Sequence, residues 1–317
     1  MEKIATRDVY GKTLVELGRK NANIVVLDAD LSDSTRSEQF QKEFPERFFN
    51  MGIAEQNMIG TAAGLAASGK IVFASSFAIF SERAYELTRN VISRNKLNVK
   101  LTGSHAGIST GDDGKSAQAI EDISIYRTLP NMIVIQPCDA IEAEQTVKFL
   151  AEYHGPSYLR LIRTALPLIH SSDYRFQFGK ADVLKDGSDA VIFATGALVY
   201  ESLRAAEILE EEGLSIAVIN IHTIKPIDIK TIIEFARKTG HVVTAEDHNI
   251  IGGLGSAVAE VLAENYPCIM RRIGLMDRYA ESGSPEELYK KYGLSADNIV
   301  RTVKDIIKTK KVVVGGR

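Results

Sequence analysis

Short runs of aliphatic and β-branched residues alternate with segments of helical periodicity along most of the chain. In the first half, the runs Ile24–Leu27, Ile71–Ala74, Val99–Thr102, Met132–Gln136 and Tyr158–Ile162 predict strands. Ala54–Ala67, rich in small residues, Glu82–Arg94 and Ala140–Tyr153 predict helices, the last with Asp139 as its N-cap. After Ile162 the pattern weakens. The stretch RTALPLIHSSDYRFQFGKADVLKDGSD holds a proline, polar clusters and a Lys-Asp-Gly turn, and reads as a linker running into a hairpin. A second alternating unit follows, with strands at Ala190–Ala194, Ser215–Asn220, Val242–Ala245 and Ile269–Ile273. Its helices fall at Val199–Glu212, Asp228–Lys238 and Gly253–Ala263, with Gly213 and Gly240 just beyond the first two. Helices at Pro285–Tyr292 and Asp297–Lys308 precede the tail VVVGGR. This alternation is the signature of parallel sheets covered by helices. The expected fold is α/β, with two consecutive domains, each a mostly parallel sheet flanked by helices: residues 1–168, a linker or hairpin over 169–188, and residues 189–317.

Composition narrows the function. A chain of 317 residues suits two domains of roughly 150 residues better than one core. Its 45% apolar and 25% charged content excludes disorder, collagen and coiled coil. A net charge of −3 excludes a broad basic surface for nucleic acid. No apolar run nears the ~20 residues of a membrane span, and the N-terminal stretch MEKIATRDVYGKTLVELGRK lacks an apolar signal core. Cys138 and Cys268 lie far apart and form neither a disulfide framework nor a metal-ligand spacing, so a reducing cytoplasm and no metal site of the chain's own are expected.

Three stretches could carry chemistry. In FFNMGIAEQNMIGTAAGLAASG a short strand meets a turn at Gly52 and a small-residue helix begins. Glu55 there reads either as the partner of an N-capping Gly52 or as a buried acid aimed at a ligand, with Met51, Ile53 and Met58 as walls. In SSFAIFSERAYELTRN, Phe77 and Phe80 stand three apart beside Arg83, as core residues or as a platform for a flat ring. In TGSHAGISTGDDGKSAQAIEDISIYRTLPNM a long loop with four glycines offers His105 and Asp113 before a helix starts near Ile120. Its GDDG is no calcium loop, since the alternating acids and the distal Glu are missing. GGLGSAVAE at 252–260 matches a dinucleotide fingerprint only weakly, with Val258 in place of the third glycine.

Taken in order and spacing, GIAEQNMIGTAAGLA, SSFAIFSERAY and SHAGISTGDDGKSAQAIEDISIYRTLPNM resemble the pyrimidine-binding domain of transketolase, and EDHNIIGGLGSAVAE resembles that family's C-terminal domain. The resemblance covers almost the whole chain. It implies a thiamine diphosphate enzyme that transfers a two-carbon ketol unit between sugar phosphates, such as xylulose 5-phosphate and ribose 5-phosphate, in the pentose phosphate pathway. The family's Gly-Asp-Gly…Asn-Asn motif for the diphosphate and Mg²⁺ does not occur here. The chain therefore resembles the C-terminal subunit of a split transketolase. Implied partners are an N-terminal subunit carrying the diphosphate and Mg²⁺ (or Ca²⁺), and a second copy of this chain, giving two copies of each.

Residue by residue, the resemblance gives Glu55 to the N1′ nitrogen of the aminopyrimidine and Phe80, with Phe77, to its ring face. Asp30 matches a cofactor contact. Arg83 replaces a tyrosine common in transketolases and makes FSERAY more like deoxyxylulose-phosphate synthase. His105 matches a histidine near the donor's reacting hydroxyls, with Glu55 the second catalytic candidate. Asp113 matches the reader of a sugar hydroxyl; Arg7 and Arg163 match the phosphate clamp, to which Ser34 adds a hydroxyl. Ala117 departs from the family's histidine or glutamine: either that residue is not needed here, or Gln118 or a partner residue replaces it. Two alternatives stay open: the β subunit of a 2-oxoacid dehydrogenase or a deoxyxylulose-phosphate synthase relative, and a non-catalytic regulatory subunit that kept the fold.

Overall fold

The computed structural model describes residues 2–309. The tail VVVGGR lies outside them. Two mostly parallel sheets, each covered by helices, form the two layers of core. The first has seven strands in the order Thr223–Lys225, Ile133–Ile135, Ser157–Arg160, Val99–Ser104, Ile71–Phe77, Ile24–Asp28, Phe48–Asn50. All its pairings are parallel except that of Thr223–Lys225, which runs antiparallel on Ile133–Ile135. The second has five strands in the order Ile269–Leu275, His241–Asn249, Ala190–Ala194, Ile216–Asn220, Asp182–Lys185, the last antiparallel. Strands such as Ile24–Asp28 and Ala190–Ala194 are buried at every position, which is why they read as continuous apolar runs.

Several sequence expectations change. The segment before Ala190 forms no hairpin: Asp182–Lys185 skips the adjacent strand and pairs with Ile216–Asn220. Thr223–Lys225, from the second half of the chain, completes the first sheet. Helix Thr6–Lys20 was not predicted, because Gly11 and Gly18 weaken its signal. Both glycines are needed, since a Cβ at Gly11 would meet the Arg36 carbonyl oxygen at 2.4 Å and one at Gly18 the Phe40 ring at 2.6 Å. Glu82–Arg94 is not one α-helix. A 3₁₀ turn at Glu82–Ala84, a single turn at Tyr85–Leu87 and a π segment at Thr88–Ser93 follow one another, and apolar spacing alone cannot tell these ladders apart. Asp139 caps its helix as expected, its Oδ1 accepting the Glu142 N–H at 2.8 Å.

The two halves are joined by buried polar contacts. Asn220 donates to both carboxylate oxygens of Glu142, at 3.0 and 3.1 Å. His170, in the connecting segment, lies between Asp139 (3.1 Å) and Asp182 (2.9 Å). Burial alone would lower its pKa, but the two carboxylates outweigh it and raise the value to about 10. Cys138, Asp139 and His170 bring three potential ligand atoms within 4.8 Å, a grouping that cysteine spacing did not reveal. Asp139 Oδ2 there already accepts the N–H groups of Ile169 and His170 at 2.8 and 2.7 Å, so the group is tied up as a structural lock.

Candidate functional site

In a parallel sheet every strand ends on the same edge, and loops leaving that edge meet around one crevice. The singled-out residues follow this rule. Asp30 comes just after Ile24–Asp28, Glu55 after Phe48–Asn50, Phe77 ends Ile71–Phe77, His105 follows Val99–Ser104, and Arg163 follows Ser157–Arg160. Arg7 lies in the first turn of helix Thr6–Lys20.

Glu55 is the first residue of helix Glu55–Ala67 and is 5% exposed. The capping reading fails: Ala54, not Gly52, is the N-cap, and no side chain caps the helix. Gly52 instead makes the turn, at φ 69°, where its N–H meets Asn50 Oδ1 at 2.9 Å. The Glu55 carboxylate has one loose ion pair among the described residues, with Arg83 at 3.7 Å. It faces a cleft of about 200 Å³ lined by Ala29, Asp30, Leu31, Ile53, Glu55, Phe80 and Arg83. Of the expected walls, Ile53 lines it, whereas Met58 is fully buried in the core.

Phe80 presents its ring to this cleft. Phe77, 9% exposed, is not among the lining residues: it stacks on Phe80 (centroids 5.5 Å, planes 9° apart) and on His105 (3.8 Å, 19°). The rings thus join the acid side of the site to a basic side. His105 is 2% exposed and adopts φ 58°. Arg7 Nη1 donates to His105 Nε2 at 3.3 Å, so that nitrogen must accept and Nδ1 carries the proton, toward Ser104 Oγ at 2.9 Å. Burial, then the guanidinium groups of Arg7, Arg163 and Arg36, push the His105 pKa down to about 3, which keeps the ring neutral.

Arg7 Nη1 also donates to the Ser34 carbonyl at 2.8 Å, so Ser34 meets Arg7 through its backbone. Arg7 Nε is buried with no hydrogen-bond partner. Arg163 donates to the Thr110 carbonyl at 2.9 Å and pairs with Asp113 at 3.4 Å, both side chains of the pair 41% exposed. Asp30, at φ 63°, accepts from Asn50 Nδ2 at 3.0 Å. Its loop is anchored by buried Asp28, which accepts from the Leu31 N–H and the hydroxyls of Thr35 and Ser37. Gln118 commits its amide to the carbonyls of Gly111 and Glu281, at 3.4 and 3.0 Å, beside the buried Ala117.

The C-terminal residues that touch this site were not foreseen. Asp247 reaches the turn 108–109 from the second domain, and Tyr289 donates its hydroxyl to Asp247. The only sequence hint was the polar EDH run at the end of a buried strand.

Residues 2–168 match the family model of the transketolase pyrimidine binding domain, and residues 179–299 match that of the transketolase C-terminal domain. The chain belongs to the transketolase family. It is 51% identical over 306 residues to a Methanocaldococcus jannaschii protein provisionally named a transketolase C-terminal section, covering 95% of this chain and 96% of that one. It is 42% identical over 311 residues to the 6-deoxy-6-sulfo-D-fructose transketolase subunit SqwH of Clostridium sp. strain MSTE9, covering 98% and 97%. A solved structure described as a split gene transketolase, inactive beta4 tetramer, aligns with a TM-score of 0.90 at 52% identity over 96% of this chain and 98% of that one.

Transketolases depend on thiamine diphosphate. The residues here fit the pyrimidine half of that group: a nearly buried carboxylate free of capping duty and an aromatic face open on one cleft. No helix among the described residues is long and apolar enough to cross a membrane.

Proposed function

We propose that this chain is the C-terminal subunit of a two-chain transketolase that moves a two-carbon ketol unit from a ketose phosphate, such as xylulose 5-phosphate, to an aldose phosphate, such as ribose 5-phosphate. The observation that carries the reading is the meeting of Glu55 and Phe80 on one cleft, linked through Phe77 and His105 to Arg7. Relatives spanned almost end to end and described as a C-terminal section and as a split gene product support a separate N-terminal partner. That partner supplies the diphosphate site and Mg²⁺ (or Ca²⁺), and two copies of each chain assemble. The free cysteines are compatible with a reducing cytoplasm.

Bound thiamine diphosphate supplies the nucleophilic carbon that ketol transfer requires. Glu55 holds a proton at ring nitrogen N1′, in a pocket that the partner subunit closes against water. Phe80 covers one face of the ring. Arg7 and Arg163 bind the anionic end of the sugar, Arg7 with a donor that has no internal partner. Neutral His105 offers its Nε2 lone pair to a substrate hydroxyl once Arg7 turns from it to the sugar's anion, and Asp113 accepts a hydroxyl once Arg163 turns to the substrate.

A donor and acceptor screen of the reconstituted complex tests this reading. Turnover of ketose phosphates with aldose phosphate acceptors is expected. A sulfonated donor belongs in the screen, because the SqwH relative is named for one and the arginines suit either anion. Decarboxylation of 2-oxoacids without ketol transfer would instead assign the chain to the dehydrogenase β-subunit class.

A further inference from the structure

The second domain holds the substrate loop of the first through one carboxylate. Asp247, on strand His241–Asn249, is 1% exposed. Its Oδ1 accepts the Ile108 N–H at 2.9 Å, and its Oδ2 accepts the Ser109 N–H at 3.4 Å and the Tyr289 hydroxyl at 2.8 Å. The approach is so close that a Cβ at Gly107, where φ is 77°, would stand 2.2 Å from Oδ2. The Asp247 backbone carbonyl accepts from Arg160, whose guanidinium grips buried Asp122 at 2.7 and 2.9 Å. Asp247 is thereby fixed from behind while it fixes the turn in front.

That turn leads to the site in two steps. Thr110 Oγ1 donates to the carbonyl of His105 at 2.6 Å and lies 3.0 Å from that of Gly107. The Thr110 carbonyl accepts from Arg163 at 2.9 Å. The far end of the loop also meets the second domain, where Gln118 donates to the Glu281 carbonyl at 3.0 Å.

We propose that Asp247, with Tyr289, is a positioning residue that sets the Gly107–Asp113 turn, and through Thr110 the placement of His105 and Arg163. This gives the C-terminal domain a part in substrate recognition. The geometric claim stands on these contacts alone; its effect on turnover rests on the function proposed above.

The test uses Asp247→Ala, Asp247→Asn and Tyr289→Phe in the full chain, alone and reconstituted. Amide hydrogen exchange of the peptide covering 107–114 is read against peptides of the seven-stranded sheet. Exchange should accelerate at least about tenfold in that peptide in Asp247→Ala, with sheet peptides unchanged. Asp247→Asn, which keeps one acceptor for the Ile108 N–H, should recover part of the protection. In the complex, kcat/KM for a phosphorylated donor should fall by about tenfold or more while thiamine diphosphate affinity stays within about threefold. Should Asp247→Ala fail to fold, Tyr289→Phe and Asp247→Asn carry the same readouts at smaller amplitude. Unchanged exchange at 107–114 overturns the proposal. So does acceleration spread evenly over the chain with activity per folded molecule preserved, since that marks simple interdomain glue. If the wild-type complex transfers no ketol unit, the function reading fails and the exchange result alone decides the role of Asp247.

Discussion

Replacing Arg7 by methionine takes a guanidinium from the basic side of the cleft and keeps most of the aliphatic stem. Arg7 Nη1 is committed to Ser34 and His105, at 2.8 and 3.3 Å, and Nε is buried without a partner, so the guanidinium gains a bond for this unpaired donor when the side chain turns to an anion. A hydrogen bond to a charged group contributes about 1.5–3 kcal/mol. At ~1.4 kcal/mol per factor of ten, its loss should raise KM for a phosphorylated donor about 10- to 150-fold. Hydroxypyruvate, a two-carbon donor without phosphate, makes no such bond, and its kcat/KM should change by less than about threefold. Arg163→Met is the companion, because Arg163 holds Thr110 and Asp113 rather than His105. Arg7→Lys keeps the charge but not the planar fork and should recover part of the loss. The assay is steady-state kinetics of the reconstituted complex with both donors. Comparable damage on both would refute the clamp and leave the arginines as props for His105 and the 108–113 turn.

Two further outcomes follow from the same geometry. Glu55→Gln should lower turnover by about 10²- to 10⁴-fold with at most a small loss of thermal stability, because Glu55 makes no capping bond and its ion pair with Arg83, at 3.7 Å, is loose; hydrogen exchange at the cofactor's reactive carbon, followed by NMR at wild-type rate in the variant, would contradict that role. His170 governs an alkaline branch of stability. Its folded-state pKa of about 10 stands above the unfolded value of ~6.5, so the native state holds the extra proton between them. Stability is then fully present below about pH 6.5 and falls as pH rises toward about 10. Thermal melts across this range should show a falling Tm, flattened in His170→Gln; an undiminished slope in the variant would assign it to other groups.

The acid and the aromatic pair stand out in the sequence because each sits beside a strand end with its own local pattern, and a parallel sheet gathers such ends on one edge, whereas Arg7 and Arg163 came only from the family resemblance. Phe77 and Phe80 share a face because they lie three apart, as the sequence suggested, yet only Phe80 lines the cleft while Phe77 is spent on His105. The capping reading of Glu55 was reasonable from spacing alone. It failed because Gly52 takes a left-handed turn that starts the helix at Glu55 itself. Asp247 and Tyr289 were illegible for a different reason. The backbone N–H partners of Asp247 lie more than a hundred residues away and the Tyr289 hydroxyl 42, and backbone donors leave no mark on sequence. The crossing of Thr223–Lys225 into the first sheet is likewise a tertiary pairing with no local signal.

The central claim is that this chain holds only the pyrimidine side of the cofactor site and works with a second subunit. A coupled ketol-transfer assay on the purified chain, alone and mixed with an N-terminal partner carrying the Gly-Asp-Gly…Asn-Asn motif, tests it most directly, with Mg²⁺ and thiamine diphosphate present throughout. The lone chain should be folded, self-associated and inactive, in line with the 52%-identical beta4 tetramer described as inactive. The mixture should turn over ketose phosphates. Turnover of sugar phosphates by the lone chain would contradict the account and require a diphosphate site within these 317 residues.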